Sequence, residues 1–325
     1  MQGRVQAHVA QLTAMGYVSV AALTAGDSTT TNAIIKAFAQ HPTFISCASH
    51  ETSDIMARDA EDGEKLAIGI RKGIDKGVLA ANVVVEPTCH IDVLGKSADA
   101  VCAEIVKKLG AAPEQGCVLT LQGLSGTGKG TTVDKLKTIL PKAVTWSNGN
   151  VFRSLTLLAV TYCEQQKIEF KSENLTAELI KKCMDCLTFG KFGGKFDTQI
   201  RGFGLDALVS EVANTVLKEP RVGKNIPTVA ALTQGEVVKF ASDAAAAMGS
   251  DGCNVLIEGR EQTLNYVRTV HRFELTLSDS SIIGKRRAAQ RMMGGAQKSL
   301  ALYGESGSGA NAFAMLEYEL MKISK

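Results

Sequence analysis

The chain has 325 residues, 45% hydrophobic and 21% charged, an ordinary globular composition that excludes a disordered or collagen-like polypeptide. Its 36 basic and 33 acidic residues leave a net charge of +3, too small an excess for a general nucleic-acid binder and suited to a site for a small anion. Neither an apolar run of roughly eighteen residues nor a leader-like pattern around Tyr17 to Ala25 is present, so no membrane partner is expected.

In chain order, Val18–Leu23 has the pattern of a strand and Ser28 is placed to cap a helix over Thr29–Gln40. Phe44–Cys47 is a short apolar run, and residues 51–76 read as one or two charged helices. Val78–Val85 is nearly continuous in apolar residues, as in a strand buried on both faces. Ser97 then caps Ala98–Leu109. Strands alternating with helices imply an α/β layer with parallel strands. Residues 110–116 look like a linker. Beyond it come a strand from Cys117, a helix over 129–139, a strand at Ala143–Trp146 and a helix over 150–164. A mixed stretch from 167 to 226 holds a glycine-rich turn or hairpin at Phe189–Lys195. Thr228–Met248 is helical, Val255–Ile257 and Phe273–Leu277 are strands, and Ser280–Met293 is a basic helix. Gly304–Gly309 reads as a flexible break before a last helix from Ala310.

Eight cysteines in this length do not make a disulfide framework. The one C-x-x-C pair, Cys183 and Cys186, has no second pair and no histidines at zinc-binding spacing. It lies in a helical pattern and reads as buried thiols, which fits a reducing, cytoplasmic setting. His8, His41, His50, His90 and His271 show no ligand spacing either.

The sharpest signal is the stretch Val118 to Thr132, which contains G-x-x-x-x-G-K between a buried strand and a helix. Gly123 and Gly128 permit the positive-φ turns that wrap backbone N–H groups around an anion. Ser125, Gly126, Thr127, Gly130, Thr131 and Thr132 complete the loop and the first helical turn, whose dipole favours phosphate. Lys129 adds a charge toward the β and γ phosphates of ATP. The residue after Lys129 is Gly130 rather than Ser or Thr, and Thr131 follows one place later. This G-x-G-K-G-T form is similar to that of adenylate and cytidylate kinases and points to a small phosphate acceptor.

From Cys117 to about Met293 the sequence resembles a cytidylate kinase of the bacterial type. Trp146-Ser147-Asn148-Gly149-Asn150-Val151-Phe152-Arg153 is similar to the family's Asp-Ser-Gly-Ala-x-Tyr-Arg, with Phe152 in place of the tyrosine and Asn148 in place of the serine. Pro220–Ala231 and Val255–Glu261 resemble two further family segments, the second ending in acid-Gly-Arg-acid. Leu277–Gln290 is similar to the segment leading into the arginine-rich lid, whose further basic residues have only Arg291 and Lys298 as counterparts nearby.

The resemblance implies a P-loop kinase-type parallel sheet flanked by helices and an enzyme moving the ATP γ-phosphoryl group to CMP, dCMP or a similar acceptor. It assigns the donor phosphates to Lys129 and the loop, the acceptor phosphate to Arg153 and Arg260, and the transferring group to Arg286 and Arg287. Asn148, Phe152 and Glu261 border the acceptor base, while Thr131 and Glu258 support Mg2+. In-line phosphoryl transfer itself calls for such a set: a lysine, several arginines and a carboxylate near magnesium. Pro227, Glu236 and Glu261 stand where the family has the serine, arginine and aspartate that read cytosine. The alternatives are a weakly catalytic nucleotide-binding module and a P-loop kinase for another small acceptor. Partners are limited to small nucleotides, in a monomer or weak homo-oligomer.

Residues 1–112 are expected to form a smaller N-terminal α/β domain, degenerate and kinase-like, with Leu23–Thr30 standing where a cradle would. Residues 113–325 would be the kinase-like domain, with an acceptor-binding insertion at about 167–226. In the competing arrangement residues 78–110 complete the kinase sheet from the front, and a strand near 88–93 paired beside Phe273–Leu277 separates the two.

Overall fold

In the computed structural model, which describes residues 18–303 and 312–324, eight strands occur among the described residues. In chain order these are β1 (Cys89–Asp92), β2 (Val118–Gly123), β3 (Ala143–Trp146), β4 (Leu187–Phe192), β5 (Lys195–Gly202), β6 (Leu205–Leu208), β7 (Asn254–Gly259) and β8 (His271–Thr276). Five of them form one sheet in the order β1-β8-β2-β7-β3, and every pairing in it is parallel. Leu119, Thr120 and Leu121 of β2 and Val255, Leu256 and Ile257 of β7 are buried, as central strands of a helix-flanked parallel sheet must be. The architecture is α/β. β4, β5 and β6 make a separate antiparallel sheet inside the 167–226 stretch, with Gly193 and Gly194 supplying the positive φ at the expected hairpin.

β1 pairs with β8 in the register Cys89↔Phe273 to Asp92↔Thr276. The front of the chain therefore supplies an edge strand to the main sheet, and a self-contained domain over 1–112 is not what forms. The supposed linker is also part of the packed structure. Pro113 is buried in a helical turn over Ala112–Gln115, and the buried Asn254 amide donates to the carbonyls of Pro113 (2.9 Å) and Pro141 (2.7 Å). The same side chain accepts from the Cys117 N–H at 3.1 Å.

The described residues divide into two compact units. One comprises 18–60, 125–127, 277–303 and 312–324; the other comprises 61–124 and 128–276 and contains both sheets. The first unit is helical, with a core that includes Leu23, Ile34, Phe38, Phe44, Met292 and Leu316. In the second, Leu155, Leu158, Cys163, Ile180, Cys183, Val229 and Val237 form the core beneath the insertion.

Four local expectations change. Val18–Leu23 is not a strand: Val20–Ala25 is helical, capped by the Ser19 hydroxyl accepting from the Ala22 N–H at 3.1 Å and ended by left-handed Gly26. The cap and the alanines outweigh the β-branched residues. Likewise Asp27, not Ser28, caps the next helix, Ser28–Ala37. Phe44–Cys47 lies inside one long helix, Pro42–Asp75, that also absorbs the charged segment after it. Val78–Val85 forms no strand. Its first residues close that helix, the Val78 and Leu79 N–H groups both donating to the Gly73 carbonyl after Gly77 turns left-handed. Val84 is 82% exposed, and Pro87 precedes the paired segment, where a missing N–H does no harm.

Elsewhere the agreement is close. Ser97 caps Ala98–Leu109, the helix after the glycine loop is Lys129–Ile139, and Thr228–Met248 lies within the single helix Ile226–Ser250. The basic helix spans Ser281–Tyr303 and the last is Ala312–Ile323. The break at Gly304–Gly309 and the start at Ala310 lie outside the described residues, as does His8.

Candidate functional site

β2 is the middle strand of the sheet, and the chain leaves it at its carboxyl end, where open α/β sheets bind ligands. Gly123 ends the strand at φ 145° and Gly128 enters the next helix at φ 89°. Neither angle suits a residue with a side chain. Gly128 carries no capping side chain, so the first-turn amides of Lys129–Ile139 meet the loop without one, with the positive end of the helix dipole behind them. The Lys129 ammonium folds back over the loop and donates to the carbonyls of Gly123 (2.7 Å) and Leu124 (2.9 Å). Thr132 is buried, with its N–H on the Gly128 carbonyl at 2.9 Å, and Thr131 is exposed.

Glu258 projects from the carboxyl end of β7, in register with Leu121. A Cβ on Gly130 would lie 4.0 Å from its Oε2, so this face of the first turn looks at the carboxylate. Thr131 is rotated from that face by about 100°, given 3.6 residues per turn. Of the two expected magnesium residues, Glu258 alone addresses the Gly130 face. One carboxylate fits a magnesium ion that takes its remaining positions from phosphate and water. Among the described residues no group of three or more His, Cys, Asp or Glu could hold a metal by itself.

The middle of the loop, Ser125–Thr127, packs within the first unit. There the Asp59 carboxylate accepts from the Ser125 N–H at 2.8 Å and from its hydroxyl at 2.7 Å. Asp59 is buried at 8% exposure. Gly126 has φ 82°, which strains any residue with a side chain, and a Cβ there would meet Ile283 at 3.2 Å, so the isoleucine would have to give. Arg286 reaches the Gly126 carbonyl at 3.5 Å, and burial pushes its guanidinium below the usual arginine range. Arg287 is exposed and Arg291 pairs with Glu51.

The expected acceptor residues separate into two kinds. Arg153, on the helix Asn148–Gln166, folds back toward its first turn: a Cβ on Gly149 would stand 3.0 Å from its Nη1. A side chain at 149 would require the guanidinium to give by a few tenths of an ångström. Arg260 leaves β7 and opens the short helix Glu261–Leu264, its carbonyl accepting from Thr263 and Leu264. Glu261, the first residue of that helix, is exposed. Phe152, by contrast, packs against the core under the insertion. Asn148 accepts the Trp146 indole N–H at 2.7 Å, which commits its oxygen. Glu236 pairs with Lys76 at 2.9 Å, which commits its charge within the fold. Pro227 sits in the opening turn of Ile226–Ser250.

Two polar residues escaped the sequence reading. Asp59 lies one helical turn after Ile55, on the buried side of Pro42–Asp75. A lone acid on an apolar stripe was the available signal. Arg272 on β8 is 2% exposed and donates to the carbonyls of Leu264 and Val267 and to the Asn265 side chain. Burial pushes its charged form down, and Glu261 opposes that shift. It buttresses the turn that carries Arg260 and Glu261.

No protein-family model matches this chain, and no curated protein matches it either.

Proposed function

We propose that the chain is an ATP-dependent phosphotransferase for a small acceptor, of the nucleoside monophosphate kinase type, with CMP or dCMP as the first acceptors to test. One observation carries the reading: the middle strand of a parallel sheet runs through left-handed glycines into a helix whose first residue is a lysine. This combination supplies backbone donors, a helix dipole and a cation to a polyphosphate.

In this reading the ATP phosphates lie along the loop from Gly123 to Thr132, and Lys129 exchanges its two carbonyl partners for phosphate oxygens. Arg153 and Arg260 hold the acceptor phosphate, matching planar guanidinium forks to paired oxygens. An acceptor oxygen attacks the γ-phosphorus, the bond to the β–γ bridging oxygen breaks, and ADP leaves. Magnesium, held by Glu258 with phosphate oxygens and water, would offset the charge that accumulates on the β and γ groups. Arg286 adds a cation beside Gly126. No role follows for Arg287 or Phe152.

The test is ADP release in the presence of each common nucleoside monophosphate, with Lys129→Ala and Arg153→Ala alongside. Turnover that depends on one acceptor and falls to background in Lys129→Ala supports the proposal. Undiminished turnover in Lys129→Ala overturns it. The second reading, a nucleotide-binding module with little catalysis, is favoured by the engagement of Ser125 with Asp59 and of Asn148 with Trp146. ATP binding without an effect of any acceptor selects it. A panel silent for nucleotides but active with another small phosphate acceptor selects a different kinase.

A further inference from the structure

Beside the open edge of β3, within the second unit, lies a cleft of about 680 Å3 that the phosphotransfer reading does not use. Its volume falls in the range of small-molecule sites. None of Asn148, Arg153, Arg260 and Glu261 lines it. We propose that this cleft binds a small planar anion, an aromatic ring bearing a phosphate or carboxylate group.

The ring-binding half is aromatic. Phe189 and Phe196, on neighbouring strands of the β4–β5 hairpin, are stacked with centroids 5.5 Å apart and planes within 4°. Trp146, at the end of β3, meets Phe189 edge-on at 5.5 Å and 76°. All three are half-buried and line the cleft. The indole N–H is already satisfied by Asn148, so these rings offer hydrocarbon and π surface, which favours an aromatic ligand.

The other half is cationic. Lys137, Lys142, Lys191 and Lys195 line the cleft together with Asp197 and Asp251. Both acids are engaged: Asp251 pairs with Lys191 at 2.6 Å, and Asp197 accepts from the Thr198 and Ser210 N–H groups. Lys191 also sits over the Phe196 ring at 5.1 Å. Four lysines against two acids leave the cleft a net excess of two cations, and among the described residues Lys137, Lys142 and Lys195 form no ion pair. Lys142 also adopts φ 45°, a strained conformation for a residue with a side chain. Such strain persists where surroundings impose it and clusters at ligand sites. Here the Asn254 N–H on the Lys142 carbonyl, at 3.2 Å, helps to hold it. A ring against Phe189, Phe196 and Trp146 with its anionic group toward Lys142 and Lys195 satisfies both halves.

The chain has one tryptophan, so Trp146 fluorescence reports the cleft directly. The full-length protein is titrated with phenyl phosphate, benzoate, phenol and inorganic phosphate. Saturable quenching by phenyl phosphate or benzoate is expected, at least about tenfold tighter than by phenol or phosphate alone, since charge-assisted contact and ring burial both contribute. Phenyl phosphate binding alone identifies a phosphate-bearing ligand; equal binding of benzoate makes the anion generic. Lys142→Gln and Lys195→Gln should each weaken binding about tenfold while leaving the circular dichroism spectrum intact. Lys129→Ala should leave it unchanged, so the outcome is independent of the proposed ATP site. Binding no tighter than that of the separate fragments, binding insensitive to both lysines, or binding lost in Lys129→Ala overturns the proposal.

Discussion

The Asp59 carboxylate takes both polar hydrogens of Ser125, the backbone N–H at 2.8 Å and the hydroxyl at 2.7 Å. In the proposed reading a phosphate approaching Ser125 meets a negative charge that already occupies them. Replacing Asp59 by Asn keeps an acceptor for the N–H and removes the charge. Asp59→Asn should tighten ATP binding by about threefold to tenfold, the scale of one unit charge acting across a few ångströms of wet protein. Isothermal titration calorimetry gives the answer. Weaker binding would mean that Asp59 orders the loop for ATP rather than opposing it.

A second prediction concerns a helix crossing inside the second unit. A Cβ on Gly235, in Ile226–Ser250, would lie 2.6 Å from the Cα of Gly73, in Pro42–Asp75. The two backbones touch because neither residue has a side chain. Gly235→Ala must push the helices apart, and overpacking of this kind costs about 1–3 kcal/mol. The urea midpoint of unfolding should fall accordingly. Gly223→Ala, where nothing lies within 4 Å of the added Cβ, is the matched control and should stay near the parent value.

What the sequence disclosed, and what it hid, follows from the range of the interactions involved. The helix Lys129–Ile139 and the strand Ala143–Trp146 could be delimited because glycine turns and a period of hydrophobicity act locally. Gly123, Gly128 and Lys129 could be singled out because the G-x-x-x-x-G-K pattern is one contiguous segment. Val20–Ala25 is helical because a serine cap and a C-terminal glycine decide a run whose β-branched residues suggest a strand. The pairing of β1 with β8 depends on residues about 180 positions apart, and no local pattern encodes it. Asp59 and Ser125 are separated by 66 positions. Arg153 stands out in the sequence beside Gly149, but the approach of its guanidinium to that glycine exists only once the helix is built.

The C-x-x-C pair yields a third prediction. Cys183 is fully buried in the helix Ala177–Asp185, and burial pushes its thiol up to about 12. Cys186 caps that helix and is shifted upward as well, again mainly by burial. A thiol in that state contributes almost no thiolate near neutral pH. Iodoacetamide at pH 8 should therefore leave Cys183 unmodified in the folded protein and alkylate it only after denaturation, as read by peptide mass spectrometry. Formation of a Cys183–Cys186 disulfide under mild oxidation would contradict the assignment of these thiols to the core.

The last prediction is a pH dependence located at His271, the first residue of β8. Burial lowers its pKa from the ordinary 6.5, so the folded state holds the imidazole neutral where the unfolded chain would protonate it. As pH falls through 6.5, the unfolded state binds the proton first, and unfolding becomes more favourable until the folded pKa is passed. The stability contributed by the neutral ring is thus complete above 6.5 and declines below it. His271→Gln removes the titrating group and should flatten this part of the profile. Urea unfolding of both proteins from pH 8 to pH 5 isolates the effect, because the other histidines contribute equally to each curve. If the two proteins lose stability in parallel below 6.5, His271 is not the group responsible.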